Sequence, residues 1–308
     1  MSINVILNQM GVIFLLIMTG FLLNRKGIVK FEENRLLSTL IVNVFNPALI
    51  ISGVLGDEKT ATFKEMMQVT LLAVIIYIIL IVLGLFYPKI TKIPKKDQVM
   101  SNLMILFSNI GFMGIPVLSG IYGKEVILLY ITIFLIPFNI LVYTYGIFLL
   151  TKDLKSGREK FQIKKIFNIG VLACIAAIII FAFGIRLPKF AVSTINYLGS
   201  VTIPLSMITI GISLGATRLK EVFSDIQLYK VAVLKLLILP ITLVFLIRPF
   251  VDNPVILGVT VILAGMPIGN ISTLLANEYD LDSDLPTRGI VLTTLLSLIT
   301  LPIVFMFL

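Results

Sequence analysis

The stretch that decides the fold is Ser108–Pro116, with the sequence SNIGFMGIP. It lies inside an apolar run of about 22 residues, which is long enough to cross a bilayer as a helix. However, Pro116 removes a backbone donor, and Gly111 and Gly114 loosen the same turn. Asn109 adds an amide at membrane depth, where a broken backbone is tolerated only inside protein or along a watery cavity. The stretch therefore favours either a broken helix at a transport site or a proline-kinked packing helix.

The composition is that of a membrane protein. Apolar residues make up 58% of the 308 residues and charged residues 13%, against about 45–50% and 25% in soluble domains. Runs of this length predict helices, because strands that cross a membrane need only about ten residues of alternating pattern. The sequence therefore predicts an all-α polytopic membrane protein with ten transmembrane helices, near residues 3–24, 35–55, 67–88, 99–121, 125–150, 166–185, 191–215, 230–250, 254–277 and 286–308.

The basic residues predict the orientation. With the N-terminus outside, 18 of the 25 lysines and arginines lie in cytoplasmic loops, six lie in outside loops, and Lys235 lies within a span. This bias is the positive-inside pattern, and it accounts for the net charge of +9 without a nucleic-acid partner. We expect a multi-pass protein of the cell membrane with both termini outside. The first apolar run lacks a basic n-region and is interpreted as a span, not a signal peptide.

The chain divides into two halves of five spans. The basic cytoplasmic loop 151–165 separates a first repeat, 1–150, from a second repeat, 166–308. Because five is odd, the second half enters the membrane from the opposite side, so a structural repeat would be inverted.

Prolines recur in corresponding spans of the two halves. They form three pairs at similar offsets: Pro47 with Pro204, Pro116 with Pro267, and Pro137 with Pro302. Spans four and nine also share glycine, proline and asparagine around their interruptions. Paired interrupted spans in corresponding positions point to a transport site at the repeat interface.

Motifs along essentially the whole chain resemble those of the auxin efflux carrier family, which includes plant carriers and bacterial malonate- and malate-type permeases. The long cytoplasmic loop of the larger plant members is missing. The resemblance rests on Asn46-Pro47, Asn109 to Pro116 (N-x-x-x-x-G-I-P), Ile121-Tyr122-Gly123, Tyr143-Thr144, Met266-Pro267, Ala276-Asn277-Glu278-Tyr279 and Leu301-Pro302-Ile303.

The resemblance implies a specific architecture and mechanism. Spans four and nine would be broken and would cross at the centre of two inverted five-helix repeats. Spans one, two, six and seven would form a scaffold, and spans three to five and eight to ten would form a mobile transport domain that works by an elevator-like movement. The resemblance also implies a homodimer.

The predicted ligand is a small organic anion, a mono- or dicarboxylate. Half-helix N-termini at a crossing offer free N–H groups and positive dipole ends, which suit a carboxylate. Nearby amides and hydroxyls, including Ser108, can donate further hydrogen bonds, although each is also explained by an ordinary interhelical hydrogen bond. Asn139 and Tyr143 are four residues apart, which places them on one face of span five, and both could project towards the same cavity. The candidate substrate-binding residues are Asn46, Pro47, Asn109, Gly111, Gly114, Pro116, Tyr143, Pro267, Asn270, Ser272 and Thr273.

The coupling ion is left open by the sequence. Lys235 is the charged residue well inside a span, and snorkelling toward the membrane surface explains it as well as a substrate or counter-ion role. No Asp or Glu falls in the middle of a span, so a membrane-depth carboxylate relay is not expected. Three alternatives remain: sodium bound by carbonyl and side-chain oxygens, a proton, or uncoupled transport driven by the membrane potential.

Other function classes fit the sequence less well. The chain has no His and a single Cys, Cys174, which excludes His-based catalysis and His-containing zinc sites. We therefore expect neither an enzyme nor a cofactor or metal. A channel would give single-channel currents without saturable counterflow, and a receptor would need an output domain. Within carriers, the alternative is a sodium-dependent bile-acid-type symporter with a similar inverted plan.

Overall fold

The computed structural model describes residues 3–55, 61–151, 168–279 and 281–308. Apart from one isolated antiparallel β-bridge, the regular structure of these residues is helical. The prediction of an all-helical membrane protein is confirmed. The basic loop 151–165 lies, beyond Thr151, outside the described residues, so the division of the chain at that loop stays a prediction.

Within the described residues, seven helices are long and apolar enough to cross a membrane, namely α1, α2, α3, α6, α8, α10 and α13, and three shorter helices, α5, α7 and α11, are also apolar. Each of the ten predicted runs contains one helix or an interrupted pair. The helices are α1 (Ile3–Arg25), α2 (Phe31–Ser52), α3 (Phe63–Ile90), α4 (Gln98–Leu106), α5 (Ile110–Tyr122), α6 (Ile127–Thr151), α7 (Ile169–Phe183), α8 (Lys189–Ala216), α9 (Leu219–Ser224), α10 (Ile226–Phe250), α11 (Pro254–Ala264), α12 (Ile271–Glu278) and α13 (Asp284–Phe305).

Several of these helices contain a π-helical turn, in most cases just before a proline. Single π turns occur in α2, α5, α6 and α10. Three of them end two residues before a proline: Pro47, Pro116 and Pro240. Because proline lacks an N–H and crowds the preceding turn, the wider turn relieves the strain. Pro204 and Pro302 instead lie inside α-helix, so the paired prolines do not share one local geometry.

The helices pack in two groups. In the first group, α1 runs along α8, and α2 contacts both α7 and α8. A Cβ on Gly20 would collide with the Ile208 carbonyl, and a Cβ on Gly211 with the Ile17 carbonyl. The backbones of α1 and α8 therefore touch, as small residues allow in membranes. In the second group, α3, α6, α10 and α13 surround the interrupted helices α4–α5 and α11–α12.

Candidate functional site

The two interrupted helices cross through a short antiparallel backbone pairing. The segment between α4 and α5 is extended, and it lies against the segment between α11 and α12. The N–H of Asn109 donates to the carbonyl of Pro267 at 2.8 Å, and the N–H of Gly269 donates to the carbonyl of Phe107 at 2.8 Å. Each segment thus satisfies backbone groups of the other, which is how non-helical backbone is tolerated at membrane depth.

The interruption of span four does not lie at Pro116. It lies at residues 107–109, and Pro116 is buried within α5, where its carbonyl accepts a hydrogen bond from Gln9 Nε2 at 3.2 Å. Pro267, by contrast, lies in the interruption of span nine and is buried there. The two prolines are therefore not structural equivalents, because the π turn before Pro116 accommodates it without ending the helix.

Asn109 caps α5 and keeps a free donor. Its Oδ1 accepts a hydrogen bond from the N–H of Phe112 at 3.3 Å, which is the standard role of an N-cap side chain. The residue is 3% exposed, and its Nδ2 has no partner among the residues that the structure describes. A buried amide donor without a partner costs free energy. Asn109 therefore presents a buried donor at the crossing that no described residue satisfies.

The other helix start carries a similar set of polar groups. Asn270 immediately precedes α12 and is half-buried. Ser272 is fully buried, and its hydroxyl has no partner within the described parts of the chain. The hydroxyl of Thr273 lies 3.4 Å from that of Thr287 in α13, so it is already engaged. A small cavity adjoins this helix start, lined by Asn270 with Ile210, Ser213 and Leu214 of α8 and Ile290, Val291, Thr294 and Leu295 of α13.

The first group of helices reaches the start of α5 and contains several buried polar atoms. The first turn of α5 packs against α8, and a Cβ on Gly111 would lie 3.6 Å from Asn46 Nδ2 of α2. Asn46 Oδ1, Thr202 Oγ1 and Ser206 Oγ are buried atoms without partners among the described residues. Pro47 is buried in α2, next to Asn46.

Gly114 serves packing between the crossing helices. A Cβ at this position would come within 2.9 Å of Leu263 Cδ2, so the glycine lets α5 approach α11. Unlike Gly111, it does not face the first group of helices through any contact that the described residues show.

Tyr143 and Asn139 lie in different turns of α6, and their shared face stays a prediction. Tyr143 lies in the π turn of α6, whose extra residue changes the direction of the side chains that follow. Asn139 Oδ1 accepts a hydrogen bond from Asn168 Nδ2 at 3.0 Å, and its Nδ2 donates to a carbonyl one turn earlier. From the same π turn, the hydroxyl of Tyr145 reaches α4 and accepts a hydrogen bond from Asn102 Nδ2 at 3.3 Å.

Lys235 lies at the crossing and does not snorkel. Its side chain is 0% exposed, and its Nζ donates to the Ile105 carbonyl at 2.7 Å and to Ser108 Oγ at 2.9 Å. Ser108 Oγ in turn donates to the Ala264 carbonyl at 3.3 Å. The snorkelling alternative is therefore wrong, and the hydroxyl of Ser108 is already committed. Lys235 is the one charged residue among the buried side chains of the described chain.

Thr293 positions the extended segment of span nine, a role that the sequence analysis missed. Its Oγ1 accepts a hydrogen bond from the N–H of Ile268 at 3.1 Å and donates to the Gly289 carbonyl at 2.7 Å. The Ile268 N–H would otherwise be a buried donor with no water to satisfy it.

A matched pair of variants tests this anchor. Thr293→Val keeps the side-chain shape but orphans the Ile268 N–H, so we expect the free energy of unfolding to fall by about 1–3 kcal/mol. The adjacent hydroxyl, Thr294 Oγ1, has no partner among the described residues, so Thr294→Val should be neutral or stabilising. Thermal unfolding in detergent measures both; equal midpoints for the two variants would contradict the anchoring role.

The geometry defines an all-helical polytopic membrane protein in which two interrupted helices cross at a buried polar site. A family model described as "Membrane transport protein" matches residues 5–305 of the chain. The chain therefore belongs to this membrane transport family, which confirms the resemblance to the auxin efflux carriers. It is similar to an uncharacterized transporter of Methanocaldococcus jannaschii, 26% identical over 302 residues, and to one of Methanothermobacter thermautotrophicus, 26% identical over 293 residues; each alignment covers 94% of both chains. The family and these relatives support a transporter, and nothing in them indicates catalysis.

Proposed function

We propose that the protein is a secondary carrier that moves a small organic anion, a mono- or dicarboxylate, across the cell membrane by an elevator-like alternating-access mechanism. The observation that carries this proposal is the free, buried amide donor of Asn109 at the helix crossing. In this proposal, α3–α6 and α10–α13 form the mobile transport domain, and α1, α2, α7 and α8 form the scaffold. A homodimer with both termini outside is part of the same proposal.

The electrostatics of the crossing favour an anion. The second halves of both interrupted helices, α5 and α12, begin there, and the first N–H groups of a helix have no partners within it. Their dipoles add partial positive charge. The ammonium of Lys235 lies one hydrogen bond from Ser108, the neighbour of Asn109. No Asp or Glu is among the buried residues of the described chain, so nothing there opposes a bound carboxylate.

Helix packing supports an inverted repeat. In the first half, α3 packs against α4 and α6, and α5 packs against α6. In the second half, α10 packs against α11 and α13, and α12 packs against α13. The contacts between halves are related in the same way: α1 with α8 corresponds to α7 with α2, and α3 with α11 corresponds to α10 with α4. A site at the crossing of such repeats is typical of carriers.

One departure from this symmetry supports alternating access. The half-helix α5 packs against α1 and α8 of the scaffold, whereas its counterpart α12 packs against α13 and α4 of the transport domain itself. The small cavity beside Asn270 lies between α12, α13 and α8. An inverted repeat can exchange these two environments, which would close the site on one side and open it on the other.

A ligand-binding screen tests the proposal. We expect small carboxylates to raise the unfolding midpoint of the detergent-purified protein, since a ligand at 100 times its dissociation constant adds about 2.7 kcal/mol to stability. The matched control for each carboxylate is its neutral primary amide, which should give no shift. Equal stabilisation by acids and amides, or no stabilisation by any carboxylate, would contradict the anion site.

A further inference from the structure

We infer that Lys235 is a tethered cation that occupies the position of a coupling cation at the helix crossing, so that the carrier binds its substrate without sodium. The statement about substrate binding rests on the proposed function. The cation position itself depends only on the geometry of Lys235. The inference excludes sodium from the three coupling alternatives that the sequence leaves open.

The ammonium lies where two negative helix ends meet. The first halves of the interrupted helices, α4 and α11, end at the crossing, and the last carbonyls of a helix have no partners within it. Lys235 Nζ bonds directly to the Ile105 carbonyl at the end of α4. Through Ser108 Oγ it is linked to the Ala264 carbonyl, the last of α11. One charge thus stabilises both helix ends.

The ligands of the ammonium are those that a mobile cation would use. At broken membrane helices, unwound carbonyls and helix C-terminal ends coordinate sodium. Here two carbonyls and one hydroxyl form such an oxygen cluster, and the Lys235 nitrogen lies in hydrogen-bonding contact with two of its members, Ile105 and Ser108. The ion pairs found among the described residues do not involve Lys235. Its nitrogen is therefore held by oxygens at helix ends, as a coupling ion would be, and is not paired with a carboxylate of the described residues.

A second lysine of α10, Lys230, shows how the position of Lys235 differs from that of a lysine near the end of a membrane helix. Lys230 lies five residues earlier in α10, is part-buried, and donates to the Thr91 carbonyl just beyond the end of α3. Thr91 follows a membrane-spanning helix, so Lys230 ties helix ends at the membrane boundary. Lys235 reaches the centre of the crossing instead. Removing Lys235 should leave a cation site, whereas removing Lys230 should not.

The experiment measures thermal unfolding of purified protein without any carboxylate, titrated with sodium at constant ionic strength against N-methyl-D-glucamine. We expect the wild type to show no sodium-specific shift. Lys235→Ala should unfold at a lower temperature and recover saturably by about 2 °C or more with sodium or with methylammonium, which replaces the missing ammonium. Lys230→Ala is the matched control and should show no saturable cation response.

Two outcomes would overturn the inference: saturable stabilisation of the wild type by sodium, or a folded Lys235→Ala protein that responds to neither cation. If Lys235→Ala does not yield monodisperse protein, Lys235→Gln is titrated in the same way, because its amide keeps the side-chain length without the charge. Because no carboxylate is present, these results are independent of the anion proposal. A carboxylate shift of the wild type that is equal in sodium and in N-methyl-D-glucamine would support the inference, and a shift confined to sodium would refute it.

Discussion

Asn109→Asp is expected to weaken carboxylate binding by roughly 100-fold while leaving the empty protein folded. The substitution removes the Nδ2 donor, which is buried and unpartnered among the described residues. A hydrogen bond to a charged ligand is worth about 1.5–3 kcal/mol, and the new carboxylate also repels the ligand. Since 1.4 kcal/mol corresponds to tenfold in affinity, a loss near 2.8 kcal/mol corresponds to about 100-fold.

The aspartate separates binding from folding. Asp is as good an N-cap as Asn, so the acceptor for the Phe112 N–H at the start of α5 is retained. Asn139→Asp is the control for the change itself, because it makes the same substitution in α6, where both polar atoms of the amide already have protein partners. The loss of its hydrogen bond to the Leu135 carbonyl lowers the unfolding midpoint, so affinities and not midpoints are compared. Thermal-shift titrations give the affinities. An Asn109→Asp protein that binds carboxylates like the wild type, or an equal loss in Asn139→Asp, would contradict the site.

Gly269→Val is expected to abolish binding and to destabilise the fold, because it separates the crossing helices. A Cβ at Gly269 would lie 2.9 Å from the Ser108 carbonyl oxygen and 3.2 Å from that of Phe107, both rigid backbone atoms. Overpacking of this kind costs about 1–3 kcal/mol. Displacing the Gly269 N–H from the Phe107 carbonyl would in addition orphan two buried backbone groups, at about 1–3 kcal/mol each.

Gly111→Ala is the control for Gly269→Val. Its Cβ would make an ordinary contact, 3.6 Å from Asn46 Nδ2, so the fold should be preserved. The unfolding midpoint of Gly269→Val should lie well below both the wild type and Gly111→Ala, and no carboxylate should raise it. A Gly269→Val protein with wild-type midpoint and affinity would show that the antiparallel pairing is not required.

The existence of the interruption was predictable, but its location was not. Glycine, proline and asparagine in one apolar run indicate that the helix is broken near Asn109. The actual break depends on a partner about 160 residues away, since residues 107–109 are extended because Pro267 and Gly269 satisfy their backbone. Such pairing is a tertiary interaction, and local propensity carries no information about it. Proline marks strain in the sequence, and the π turn before Pro116 shows how a helix can absorb that strain.

The roles of the polar side chains were likewise predictable in part. Asn109 was identified from its residue type and position, and the structure gives it a buried free donor. Lys235 was ambiguous, because its nearness to Lys230 and the end of a span fits snorkelling equally well. Only the packing of α10 against α4 directs its ammonium to the Ile105 carbonyl. The pairing of Asn139 with Tyr143 assumes α-helical spacing, and the π turn that contains Tyr143 shows that this assumption does not hold throughout α6.

If the chain is a carrier with its anion site at the crossing of the interrupted helices, its transport of a carboxylate is saturable and depends on Asn109. The most direct test is counterflow in proteoliposomes: vesicles loaded with an unlabelled carboxylate that stabilises the protein are diluted into the same labelled compound. At a carboxylate concentration near the wild-type dissociation constant, we expect transient, saturable accumulation of label with the wild type and with Asn139→Asp, and almost none with Asn109→Asp. Non-saturable uptake without counterflow, or full counterflow by Asn109→Asp, would contradict it.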